Sequence, residues 1–435
     1  MTSITMAVRG SVATLDVRAR RVLFDRATSA DDLVRERTGR IIARVRADGD
    51  DALRALALEY DGVALESLEV PRTAWRAALD ALDPGVRRSL ERAAANIRQV
   101  HQAFRPVASE VTTADGVVIG RRPDPLGRVG VYAPGGRATY PSSLLMGVVP
   151  ARVAGVAEVI VCTPPTPNGR PSPVLLAAAE LAGADRLFAV GGAGAVAAMA
   201  YGTATIPAVD RIVGPGNAYV AEAKVQVSSV TAIDSPAGPS ELLIIADDTA
   251  APDVIARELL AQAEHDPVAA VVLVSTSAAL LDAVAQRLAE MVPLEPRGQV
   301  IAAAFAARGA LLLAASMTEA VSFSNAWAPE HLLVATRDPD ALVPSLRNAG
   351  TIFVGACASV AFGDYLTGAN HVLPTGGLAR AYSGLSTVDF YRWTTWQRVD
   401  RNAAARLAAD VGVLADAEGL PAHAAAARQW AAEAP

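Results

Sequence analysis

Residues 156–165 read VAEVIVCTPP. The run Val159-Ile160-Val161 is short, β-branched and closed by two prolines, which is the composition of a strand. It does not alternate apolar with polar. A strand apolar on both faces belongs inside a parallel sheet covered by helices on each side. Working outward, GRVGVYAP (127–134) reads as a strand ending at a Gly-rich turn. On the other side DRLFAVGG (185–192) leads into the helical AGAVAAMAYG (193–202), and DRIVGPG (210–216) follows. The alternation restarts at SELLIIADD (240–248) and continues through VAAVVLVST (268–276), a helix from Ala278, GALLLAAS (309–316) and HLLVAT (331–336). Strands alternating with helices imply βαβ units. The expected fold is α/β, with two doubly wound, incomplete Rossmann-like domains. Residues 30–110 have the three-and-four periodicity of helices, as in DDLVRERTGRIIARVRA. Beyond about residue 386 the sequence reads as short helical pieces that cannot close a core alone.

A chain of 435 residues is long enough for two domains. Charged residues make up 19% and the net charge is −6, with no clustered basic patch, so a nucleic-acid partner is not expected. Lys224 is the only lysine among 39 basic residues, a skew that fits a GC-rich coding bias. Cys162 and Cys357 are too few for a disulfide framework and suit a reducing cytoplasm. The start, MTSITMAVRGSV, lacks the pattern of a secretory signal. The longest apolar runs fit buried strands and are too short to span a bilayer.

The polar residues of interest fall mostly in the second half. In AQAEHDP (261–267) Gln262 and His265 lie three apart at the end of an Ala-rich helix, on one face. Two readings stand: a polar helix terminus stopped by Pro267, or a pair of ligands. Glu330-His331 precedes a strand, where both side chains can serve one pocket, and a histidine beside a carboxylate is a candidate general base. Asp364, Asn370 and His371 lie in the Gly-containing GDYLTGANHVLPT (363–375), and Glu418 and His423 in EGLPAHAAAAR (418–428). Four of the five histidines thus sit beside carboxylates; His101 is the exception. Gln262, His265, Asp364 and His423 offer the N and O donors that zinc accepts, although glutamine is an unusual ligand. Finally, Gly192 to Ala197 matches G-x-G-x-x-A between a strand and a helix, with Asp210 at the distance of a ribose-binding acid. In so Ala- and Gly-rich a chain the match is also expected by chance.

The blocks GRVGVYAPGGRATYPSSLLMGVVPARVAGV, IVGPGNAYVAEAK, AGPSELLIIAD, LLAQAEHDP, SNAWAPEHL, GDYLTGANHVLPT and EGLPAH, in this order from about residue 127 to 428, closely resemble histidinol dehydrogenases. That resemblance implies a cytoplasmic homodimer that performs the last step of histidine synthesis. It oxidises L-histidinol through L-histidinaldehyde to L-histidine with two NAD⁺ and one zinc per subunit. It also implies an N-terminal extension (1–26), an α/β domain with most of the zinc and catalytic site (27–107 and 240–385), and a Rossmann-like NAD-binding domain (108–239). A C-terminal tail (386–435) would be exchanged onto the partner, the two extensions sharing in dimerisation. Gln262, His265, Asp364 and His423 match the zinc ligands, with His423 supplied by the other subunit. His331 matches the base and Glu330 the residue that activates water. Ser240, His371 and Glu418 match further substrate contacts, while Tyr132, Gly194 and Asn217 match the NAD site.

Two positions depart from the family pattern. Many members have glutamine where this chain has Gly194, so the G-x-G-x-x-A match reads as a by-product of that substitution. Many also carry Pro-Glu where this chain has Ser359-Val360, so a carboxylate near the metal loop is expected to be missing. The alternatives are a paralogue oxidising another small amino alcohol with the same machinery, or a catalytically dead zinc-binding protein; the retained Glu330-His331 argues against the latter.

Overall fold

The computed structural model describes residues 4–26, 32–135 and 139–431. Asp31 of the first helical stretch, residues 136–138 of the block at 127–156 and the two chain ends (1–3 and 432–435) lie outside them.

VAEVIVCTPP forms the strand Glu158–Thr163, flanked by Arg186–Ala189 on one side and Arg128–Tyr132 on the other. Beyond Arg128–Tyr132 lie Arg211–Val213 and Ala232–Ile233, and every pairing in this five-stranded sheet is parallel. The missing alternation has a direct cause. Val159 and Val161 pack with Leu144, Leu145 and Leu175 on one face, while Ile160 and Cys162 pack with Leu53, Leu56 and Phe188 on the other. Because the chain steps out from Arg128–Tyr132 and then returns to its opposite side, a switch point opens between Tyr132 and Gly214 at the carboxyl ends of the strands.

The six-stranded sheet runs in the order Val8–Ser11, Gly309–Leu313, Ala270–Ser275, Glu241–Ala246, His331–Ala335, Thr351–Val354, again entirely parallel. Its switch point lies between Glu241–Ala246 and His331–Ala335, with His331 paired to Leu242.

Three details differ from the sequence-based expectation. First, the N-terminal residues are no mere helical extension: Val8–Ser11 is an edge strand of the six-stranded sheet, and Leu23 packs with Trp327 in its core. A four-residue edge strand leaves too short a pattern to read. Second, the helices Asp32–Leu56, Arg72–Asp80 and Pro84–Ala103 were grouped with 240–385 but bury Leu53, Trp75, Leu90 and Ile97 against the five-stranded sheet. Helical periodicity shows that a face is buried, not which sheet buries it. Third, the tail is not wholly helical. Tyr391–Arg398 (YRWTTWQR) pairs antiparallel with Val118–Pro125, which pairs with Ser109–Thr112 through an Asp115-Gly116 turn. Gly120 makes room for the Trp396 ring, since a Cβ there would lie 2.2 Å from it. After this strand come Arg401–Ala417 and Pro421–Arg428, which pack on each other and leave Val413, Leu414, Leu420 and Trp430 exposed. Among the described residues no helix is long and apolar enough to cross a membrane.

His101 has a structural role. It is buried at the end of Pro84–Ala103, its Nδ1 accepts from the Thr387 N–H at 3.2 Å, and the Thr387 hydroxyl donates to the His101 carbonyl at 2.9 Å. Burial pushes its pKa down to about 4. The unfolded chain binds this proton near pH 6.5 and the native chain only near pH 4, so stability present above pH 6.5 is lost as the pH falls between these values. Urea unfolding at pH 7 and pH 4.5 is expected to show His101 contributing roughly 2–3 kcal/mol to that loss. His101→Gln, compared with the parent protein, should flatten the pH dependence by that amount; parallel curves would remove His101 as its source.

Candidate active site

The chain leaves the helix Met317–Trp327 through Ala328, whose φ of 54° makes it the only non-glycine in the left-handed region among the described residues. That conformation costs alanine about 1 kcal/mol, and it sits directly ahead of Pro329 and Glu330. Glu330 and His331 then stand at the amino ends of the central strands, buried, beside Glu241 and Ser240 of the neighbouring strand. Both are fixed by the backbone of one residue. Glu330 Oε2 accepts from the Glu241 N–H at 2.6 Å, and His331 Nδ1 lies 3.0 Å from the Glu241 carbonyl. A carbonyl only accepts, so Nδ1 carries the hydrogen. His331 Nε2 is left buried and without a hydrogen bond, 3.7 Å from Asp364 Oδ1.

Burial would lower the pKa of His331, but the carboxylates of Glu330 and Asp364 outweigh it and raise the value to about 10. Burial also raises Asp364, yet its contact with His331 and the proximity of His371 and His265 hold it below the usual carboxylate range. Asp364 lies on the short helix Val360–Tyr365, and its carbonyl accepts from His371 Nδ1 at 2.8 Å. His371 Nε2 meets the Ser143 hydroxyl at 2.9 Å. Ser143 begins the helix Pro141–Ala154 after the strand Arg128–Tyr132, so the carboxyl side of one sheet faces the amino side of the other. His331, Phe353, Asp364, Asn370 and His371 line a small cavity at this junction.

Gln262 ends the helix Pro252–Ala263, buried, with an amide nitrogen that has no partner; His265 follows, half-buried and near enough to Asp364 to lower its pKa. An unpartnered buried amide is costly, and a ligand at Gln262 would account for it. Gln262, His265 and Asp364 together offer amide, imidazole and carboxylate donors, a set that suits zinc. They do not complete a shell. Among the described residues no three His, Cys, Asp or Glu converge as a metal site. Glu418 and His423 are solvent-exposed on the tail.

Four contributors have no sequence signal. Glu258, one turn before Gln262, is buried and accepts the Val360 N–H at 3.0 Å. This corrects the expectation of a missing carboxylate: the helix Val360–Tyr365 is capped from another helix. Arg26 forms a buried ion pair with Glu241 and lies 3.7 Å over the Trp327 ring, while Glu241 Oε1 accepts the Gly376 N–H at 2.8 Å. Burial raises the Glu241 pKa to about 7 against the pull of Arg26. Ser143 completes the set.

At the other switch point Tyr132 is buried and its hydroxyl accepts the Gly192 N–H at 3.1 Å. Asn217 is exposed and caps the helix Ala218–Val227, accepting from Tyr219 and Val220. At Gly194 a Cβ would lie 3.1 Å from Leu56 and 3.4 Å from Leu53, so a side chain there would press on the helix Asp32–Leu56. Asp210 accepts the Arg128 N–H at the opposite end of the strands, so it is no ribose ligand for this crevice.

The family model described as histidinol dehydrogenase matches residues 24–430. The chain is 50% identical over 420 residues to histidinol dehydrogenase of Halobacterium salinarum, covering 95% of this chain and 97% of that protein. It is 47% identical over 418 residues to that of Methanothermobacter thermautotrophicus, covering 96% and 98%. The crystal structure of histidinol dehydrogenase from Elizabethkingia anophelis superimposes with a TM-score of 0.93 at 31% identity, covering 99% of this chain and 98% of that one. Two parallel sheets with Glu330-His331 at the centre of one, and this likeness over nearly the whole chain, make the protein a member of the histidinol dehydrogenase family of oxidoreductases.

Proposed function

We propose that the chain oxidises L-histidinol through L-histidinaldehyde to L-histidine in the cytoplasm, as a homodimer using two NAD⁺ per turnover and one zinc per subunit. The observation that carries this reading is His331: Nδ1 is fixed on a carbonyl, Nε2 is buried and unpaired, and Glu330 stands beside it. In the first oxidation His331 Nε2 takes the hydroxyl proton as the carbinol carbon gives up hydride; NAD⁺, held at the crevice by Tyr132 and Asn217, would supply the hydride acceptor for each oxidation. Glu330 then takes a proton from water as that water adds to the aldehyde carbon. His331, its first proton released to water, accepts the remaining hydroxyl proton as the hydrated carbon gives up its second hydride, and the carboxylate is left. Glu330 and Asp364 both raise the pKa of His331, and a cation held at Asp364 would weaken the second of these contributions.

A zinc ion held by Gln262, His265, Asp364 and His423 of a second copy would anchor the substrate's imidazole and amine away from the reacting carbon. Ser240, His371 and Glu418, the last also from the second copy, would complete the substrate pocket, and Tyr132 and Asn217 the cofactor crevice. The exposed apolar side chains of the tail support its docking on a second copy.

Two measurements test this reading. Turnover with L-histidinol is expected to yield two NADH per molecule and to outpace other small amino alcohols; a faster competitor would indicate a paralogous activity. Metal analysis of His265→Ala is expected to show near-complete loss of zinc, and wild-type occupancy would exclude His265 as a ligand.

A further inference from the structure

We propose that Lys224 and Asp234 form a buried clamp that sets the loop 214–217 for NAD⁺, and that Lys224 is a positioning residue for which arginine cannot substitute. The inference rests on the reading that places the cofactor at this loop. In a chain where every other basic residue is arginine, one lysine remains. It lies on the helix Ala218–Val227, two turns from the cap Asn217, with its side chain 2% exposed. Its ammonium pairs with the Asp234 carboxylate, itself 4% exposed, and donates to the Gly214 carbonyl at 3.1 Å. Asp234 Oδ2 accepts the Gly214 N–H at 2.8 Å. One peptide residue is thus held at both polar groups by two opposite charges that also hold each other.

The loop needs such a hold. Gly214 has φ +114°, and a Cβ there would lie 2.1 Å from the Tyr132 carbonyl oxygen; at Gly216 a Cβ would lie 2.4 Å from Val220. Neither position can carry a side chain to pack the loop in place. An ammonium is a compact charge with three donors. A guanidinium is longer and planar, with five donors, and would leave several unpaired in a closed site offering one carboxylate and one carbonyl.

The test uses the full-length, zinc-loaded protein. NAD⁺ affinity is measured by titration calorimetry and loop order by hydrogen exchange across 214–220. Lys224→Arg and Lys224→Met are expected to weaken NAD⁺ binding about tenfold or more and to speed exchange at the loop, leaving zinc content and the KM for L-histidinol unchanged. Unaltered exchange and affinity in Lys224→Arg would overturn the proposal. If the pair served only stability, the double variant Lys224→Met/Asp234→Leu, which removes both charges together, would recover NAD⁺ affinity along with Tm; that recovery would also overturn it. Asn217→Ala separates the two layers. Faster exchange in the Lys224 variants, with NAD⁺ affinity unchanged in those and in Asn217→Ala, would leave the clamp standing while removing both its cofactor role and the placement of NAD⁺ at this loop.

Discussion

His331→Asn is expected to slow both oxidations by roughly 10²–10⁴-fold, the usual weight of a general base, while zinc stays bound. Asparagine can still donate toward the Glu241 carbonyl but has no lone pair basic enough to take a hydroxyl proton at neutral pH. The site's backbone frame does not depend on the imidazole, because Glu330 is held independently by the Glu241 N–H. Single-turnover NADH formation together with metal analysis checks this. An unchanged rate would remove His331 from the chemistry. Loss of zinc would mean that the variant disturbs the Asp364 loop, 3.7 Å away, and not the proton transfer alone.

Glu330→Gln is expected to separate the two half-reactions. The amide oxygen can keep the hydrogen bond from the Glu241 N–H, so the shape survives, but it cannot accept a proton from water. The first hydride transfer should remain near the wild-type rate and the aldehyde should accumulate on the enzyme. NADH should form in a burst of about one equivalent per site before a phase slowed about 10²-fold or more. Rapid-quench measurement reads both phases. Equal slowing of the first and second NADH would show that Glu330 serves both steps, its carboxylate lying 3.4 Å from His331 Nδ1.

Much of this site was legible in the sequence, and the reason is local. Glu330-His331 and Gln262/His265 lie at element ends where polar residues interrupt an apolar pattern. The alternation of strands and helices that placed them is a short-range property. What the sequence hid is long-range. Glu241 reads as the first residue of a buried strand, yet its backbone holds both Glu330 and His331 and its side chain pairs with Arg26. Glu258 looks like an ordinary helix glutamate until Val360, 102 residues on, is brought to it. The G-x-G-x-x-A match, discounted on composition, has its middle glycine against Leu53 and Leu56 of a packed helix. The strand Tyr391–Arg398 has no local signal of its pairing, because its partner lies about 270 residues earlier, as in the bond from Thr394 to Asp124.

The order of strands in the six-stranded sheet also bears on how the working site comes into being. Its central pairing joins Glu241 to Glu330 across 89 residues, and Arg26 reaches the Trp327 carbonyl across 301. Parallel strands so far apart in sequence must close large loops before any contact rewards them, which makes such pairings slow. During synthesis the five-stranded sheet has all its strands by residue 233, whereas Glu241, Glu330, His331 and Asp364 meet only once the chain has grown through the helix Val360–Tyr365, and Val372, Leu385 and Phe390 of the first sheet's core come later still. The core beneath the five-stranded sheet and the polar cluster on the other sheet are therefore completed together, late in the chain, and the edge of Gly309–Leu313 is covered by Val8–Ser11, a strand from far earlier in the sequence.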